Sequence, residues 1–114
     1  MSLDEIDVLF MPRALVIDDE QAQELTAWVE EGGTLVAESE CGAFGRNGLY
    51  RYPEERFLAD LTGVSELGRR TLSGNSVTVA LEGETLQLPA TQWLTPLTSG
   101  VGEAMGETEE GPLF

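Results

Sequence analysis

The 114-residue chain contains no histidine, no lysine and a single cysteine, Cys41. Each absence removes a class of chemistry. Without histidine the usual near-neutral base is missing, so no Cys-His-acid triad can be assembled from this chain. One cysteine makes neither an internal disulfide nor a thiolate metal cage, and a reducing cytoplasm is the simplest compartment. No apolar run approaches the roughly 20 residues of a membrane span. The N-terminal "MSLDEIDVLF" is acidic and lacks the basic start and long apolar stretch of a secretory signal. The absence of lysine leaves six arginines against 21 acidic residues, a net charge of −15. A surface this negative repels phosphate backbones and anionic bilayers, which argues against nucleic-acid and membrane partners. Its plainest role is to keep the protein soluble. A sharper reading is adaptation to high salt, where acidic, lysine-poor surfaces are expected.

The length suits one small domain, and the apolar content suffices for a core. "IDVLFMP", residues 6–12, is a continuous apolar run ended by Pro12, the pattern of a strand buried on both faces of a parallel sheet. "RALVIDDE" leads into a helix. Asp18 and Gln21 have capping-box spacing. Ala22, Leu25, Trp28 and Val29 recur at helical intervals, and Gly32 is placed to end the helix. "TLVAE", residues 34–38, is the next strand, so residues 6–38 read as a right-handed βαβ unit. A loop with three glycines and two tyrosines follows. "PEERFLADLTG" then predicts a second helix starting near Pro53, with Phe57, Leu58 and Leu61 as its apolar face. After Gly63 the period changes to two. "SVTVALE" and "TLQLPA" around "EGE" predict an antiparallel hairpin, and "EAMGETEEGPLF" a weaker one. The predicted organisation is a single domain over 1–114, with a βαβα unit at 6–64 and antiparallel strands at 65–114. Val8, Leu9, Phe10, Leu25, Val29, Leu35, Val36, Phe57 and Leu61 form the predicted core.

Cys41 sits in "GGTLVAESECGAFG", where an α/β enzyme often carries a nucleophile. Its neighbours Glu38 and Glu40 would raise a thiol pKa, and no base is available to lower it. A small residue at a strand end is the better reading. Glu38, Glu40, Glu54 and Glu55 invite comparison with a glycosidase carboxylate pair, yet so acidic a chain produces close pairs by chance. "DDE" at 18–20 caps a helix before it binds a metal, and it lacks the calcium-loop spacing. "GAFGRNG" follows a strand without leading at once into a helix, and it has no lysine, so it is weak as a phosphate loop. No catalytic, cofactor-binding or metal-binding residue is therefore predicted. Tyr50, Arg51, Tyr52 and Arg56 form the one local aromatic-arginine cluster. It is a candidate partner contact, because tyrosine and arginine are enriched at hot spots. A loop pinned onto its own domain explains the same residues.

Taken together, "IDVLFMPRALVIDDEQAQELTAWVEEGGTLVAESECGAFGRNGLYRYPEERFLADLTGV" resembles the middle, trimerisation domain of β-galactosidases of glycoside hydrolase family 42. The likeness lies in the strand ending in proline, the helix ending in "GGTLVA", the glycine-containing loop and the short helix ending in "LTGV". It implies a flavodoxin-like parallel sheet similar to class I glutamine amidotransferases, followed by antiparallel β-hairpins. In the family a further strand and helix precede this unit, so the chain reads as a piece of a larger glycoside hydrolase. The catalytic carboxylates of that family sit on a separate barrel domain, so none is carried over here. The implied function is a non-catalytic structural and oligomerisation module, without cofactor, that self-associates. Two other classes compete. One is a free-standing amidotransferase-like hydrolase or small-molecule binder. The other is a carbohydrate-binding accessory module, with Trp28, Trp93, Tyr50 and Tyr52 as stacking residues.

Overall fold

A computed structural model describes residues 2–98 and 100–114. The chain divides into two compact units, Met1–Leu61 and Thr62–Phe114.

In the first unit, strand β1 (Val8–Met11) and strand β2 (Thr34–Ala37) pair in parallel, with Leu9 opposite Leu35 and Phe10 opposite Val36. Helix α1 (Asp19–Glu30) forms the crossover between them. Its start follows the capping box: the Gln21 backbone N–H donates to the Asp18 carboxylate at 2.8 Å, and the Asp18 N–H donates to the Gln21 side chain at 3.1 Å. Gly32 ends the helix at φ +112°, in the region that a residue with a Cβ rarely enters. Next to it, Gly33 leaves room for the Trp28 ring. A Cβ there would lie 2.3 Å from Trp28 Cε2. The indole N–H donates to the Ile6 carbonyl at 3.1 Å, which ties the end of α1 to the start of β1.

The core of this unit gathers Met11, Ile17, Ala22, Leu25 and Cys41, with Leu9, Leu35, Phe57 and Leu58 packed around them. Five residues of the predicted core are not in it: Val29 and Leu61 lie outside the cluster, and Val8, Phe10 and Val36 are exposed. Val8 is 50% exposed, Phe10 70% and Val36 42%, whereas Leu25 is buried and Leu9, Val29, Leu35, Phe57 and Leu61 are half-buried. The pleat explains the division. Alternate residues of a strand point to opposite faces. Leu9, Met11 and Leu35 belong to the face that the core packs against; Val8, Phe10 and Val36 belong to the other, which nothing in this unit covers. The parallel sheet is confined to this pair among the described residues. The observed class is thus mixed α/β with small sheets, most of them antiparallel.

The predicted second helix is broken. A short 3₁₀ turn at Pro53–Glu55 is followed by helix α2 (Phe57–Thr62), and Arg56 between them is extended, with φ −80° and ψ 146°. That backbone turns the Arg56 side chain inward, where it is only 4% exposed.

The second unit is antiparallel. Strands β3 (Arg70–Thr71) and β6 (Trp93–Leu94) pair with each other. Strands β4 (Ser76–Leu81) and β5 (Glu84–Pro89) form the predicted hairpin, with Val79 opposite Leu86 and Val79 fully buried. Its two-residue turn places Glu82 at φ +51° and Gly83 at φ +82°, the twist that matches paired strands. Strands β7 (Gly106–Thr108) and β8 (Gly111–Pro112) form the weaker hairpin, and β7 adds to β4, giving the order β5-β4-β7-β8.

Candidate functional site

The loop after β2 is built as a hairpin laid against the segment before α1. Phe44 bridges in parallel to Val16 and antiparallel to Tyr50. Its N–H donates to the Leu15 carbonyl at 2.9 Å, and its carbonyl accepts from Ile17 at 3.2 Å. Gly45 and Gly48 make the tip, where the Asn47 side chain accepts from the Leu49 N–H. The glycine spacing that suggested a phosphate loop is therefore that of a tight turn.

Two arginines hold this loop from beneath. Arg51 donates to the Ile17 carbonyl at 3.0 Å and to the Asp19 carboxylate at 2.7 Å. Arg56 donates to the Arg51 carbonyl at 3.2 Å and to the Tyr50 hydroxyl at 3.1 Å, and its guanidinium lies 5.5 Å from the centre of the Tyr50 ring. The Tyr50 ring meets Phe44 and Tyr52 edge to face, at 5.6 and 5.7 Å. Yet Tyr50, Tyr52, Leu49 and Val16 are exposed. The four residues of the sequence-predicted cluster thus separate by role. Arg51 and Arg56 pin the loop to its own unit. Tyr50 and Tyr52 are presented outward in fixed orientations. Val16, bridged to Phe44, extends the same apolar surface. Sequence reasoning missed Val16 because only the bridge through Phe44 brings it beside the tyrosines.

The remaining candidates are used elsewhere. Cys41 is buried, and its thiol donates to the Met11 carbonyl at 3.3 Å. Glu40 pairs with Arg13 at 2.6 Å, and Glu55 accepts from the Tyr52 backbone N–H at 3.1 Å. Glu38 and Glu54 are exposed. Asp18 also pairs with Arg46. The Gln21 N–H at the helix start, helped by Arg46, holds the Asp18 carboxyl below the ordinary aspartate value. Among the described residues no group of three or more histidines, cysteines or carboxylates could hold a metal ion. Trp28 is buried, and Trp93 lies under the Arg69 guanidinium, 4.2 Å from the ring centre. Both are thus engaged within the chain, which weakens the carbohydrate-stacking reading.

The family described as "Beta-galactosidase trimerisation domain" matches residues 1–112. The chain belongs to this family. A trimerisation domain is a structural module of an enzyme, and the amidotransferase-like alternative is not favoured. Solved structures of family 42 β-galactosidases share the fold. The β-galactosidase of the Antarctic haloarchaeon Halorubrum lacusprofundi superimposes with a TM-score of 0.78 at 18% identity, over 97% of this chain and 17% of that one. A catalytic mutant of Gan42B from G. stearothermophilus gives 0.76 at 21% identity, over 90% and 15%. The enzyme from Bacillus circulans sp. alkalophilus gives 0.74 at 16%, over 89% and 16%. The chain therefore spans about one sixth of the length of these β-galactosidases. No curated protein matches it. No helix of the described residues is long and apolar enough to cross a membrane.

Proposed function

We propose that the chain acts as a non-catalytic self-association module within a longer, cytoplasmic β-galactosidase-like glycoside hydrolase. The observation that carries this reading is the rigid, exposed apolar surface of the 44–57 loop. Tyrosines held in fixed orientations contribute contact area without an ordering cost on binding, the property of a preformed interface. The uncovered face of β1 and β2 offers a second contact, and in the longer protein it accepts the further layers of a flavodoxin-like sheet. The net charge of −15 opposes contact between copies, so association tightens as salt screens it. The isolated chain is expected to form a homo-oligomer, in the simplest case a dimer, through residues 6–12 or the 44–57 loop.

Sedimentation at micromolar concentration, at salt levels where the chain is folded, tests this. A Tyr52→Ala/Val16→Ala variant, which leaves the Tyr50–Arg56 contact in place, should shift the equilibrium towards monomer while retaining the circular dichroism of the native chain. A strict monomer at every salt concentration would overturn the reading.

A further inference from the structure

The first unit carries 14 acidic residues and four arginines, a net charge of 4 − 14 = −10 in 61 residues. The two signs are not mixed. Arg46 and Arg51 pair with Asp18 and Asp19 at the start of α1. The opposite end of the helix is acidic. Glu30 is its last residue, Glu31 caps it, and no basic residue stands in its last turn. Two hydrogen bonds bring the chain before β1 to that same end: Trp28 to the Ile6 carbonyl at 3.1 Å, and the Thr34 N–H to the Asp7 carbonyl at 2.9 Å. Asp4, Glu5 and Asp7 therefore belong to the segment that meets Glu30 and Glu31. All five are exposed, and residues 2–8 and 27–35 contain no basic residue.

This arrangement opposes the helix in two ways. The C-terminal end of a helix is the negative pole of its dipole, where carboxylates are disfavoured. Glu20 and Glu24 add a like-charged pair one turn apart, which offsets the favourable place of Glu20 at the positive pole in the first turn. Both effects act over distances comparable with the Debye length, which is about 10 Å at 0.1 M salt and about 3 Å at 1 M. The apolar contacts that must outweigh them are few: α1 buries Ala22, Leu25 and Trp28.

We infer that ionic strength sets how firmly α1 closes over β1 and β2, so the first unit opens more readily in dilute buffer and less readily as salt screens the acidic end of the helix. Diffuse screening suffices for this, and no bound metal takes part. The inference is independent of self-association, because it concerns the folding of one copy.

The test uses the full 114-residue chain at a concentration where it is monomeric. Urea unfolding is followed by the helical circular dichroism signal, to which α1 contributes most, at KCl concentrations from about 0.1 to 1 M. The folding equilibrium should shift by about tenfold or more towards the closed form across that range. Glu30→Lys/Glu31→Lys should be more stable than the native chain at low salt and should lose most of the salt dependence. Glu103→Lys/Glu107→Lys makes the same change in net charge within the second unit and should keep the native slope. A native chain indifferent to KCl would overturn the inference. So would a control pair that flattens the slope as much as the helix pair does, since net charge alone would then be responsible.

Discussion

Leu25 and Phe10 lie on opposite sides of one parallel strand pair, and sequence pattern assigns both to the core. The structure separates them. Leu25 is 9% exposed and packs in the cluster with Met11, Ile17, Ala22 and Cys41. Truncating such a leucine removes its transfer energy and leaves a cavity, so Leu25→Ala should cost about 2–5 kcal/mol. Phe10 is 70% exposed. A phenylalanine buries about 200 Å² when fully covered, so Phe10 hides roughly 60 Å² here, equivalent to about 1.5 kcal/mol at about 25 cal/mol/Å². Phe10→Ala keeps part of that and should cost about 1 kcal/mol or less. A chain of this length has a total stability of about 6–17 kcal/mol, so the first change consumes a large share and the second does not. Urea denaturation of both variants, at a concentration where the chain is monomeric and at high salt, separates the two. With a slope of about 1–3 kcal/mol/M, Leu25→Ala should move the midpoint by about 1 M or more. Equal costs for the two variants, or a Leu25→Ala cost below about 0.5 kcal/mol, would refute the assignment of faces.

Two further outcomes follow from local geometry. Gly33→Ala should destabilise the chain by about 1–3 kcal/mol in the same denaturation assay, because the added methyl meets the rigid Trp28 ring; Gly74→Ala, with open space around it, should be neutral. The Asp18 carboxyl is held below its ordinary value by the Gln21 N–H, so its contribution is complete above the unfolded aspartate pKa of about 3.9 and disappears as pH falls through the lower folded value. Asp18→Asn should therefore blunt the acid limb of a stability–pH curve; an unchanged limb would show that the cap does not titrate with folding.

The elements specified by local chemistry were legible in the sequence. α1 announces itself by the Asp18–Gln21 box, the apolar spacing and Gly32. The β4–β5 hairpin announces itself by alternation around Glu82 and Gly83. What was not legible depends on neighbours. The run "VLFM" carries no information about whether a second layer is present, so its two faces could not be told apart. For Arg56 the sequence left partner contact and a loop pinned onto its own domain both open, since its inward turn depends on the Tyr50 hydroxyl and the Arg51 carbonyl, which the fold brings to it. The addition of β7 to β4 joins residues more than twenty positions apart, beyond the reach of any local signal. For the candidate surface, Tyr50 and Tyr52 were found by residue type alone, while Val16 required the bridge through Phe44.

The burial of Cys41 has a practical consequence. Its thiol is 1% exposed and turned onto the Met11 carbonyl at the end of β1. A modifying reagent can reach it only when the loop lifts away from that strand, so the labelling rate counts opening events of the first unit and not encounters in solution. The chain's single cysteine is thus a clock built into the unit, readable without any added probe.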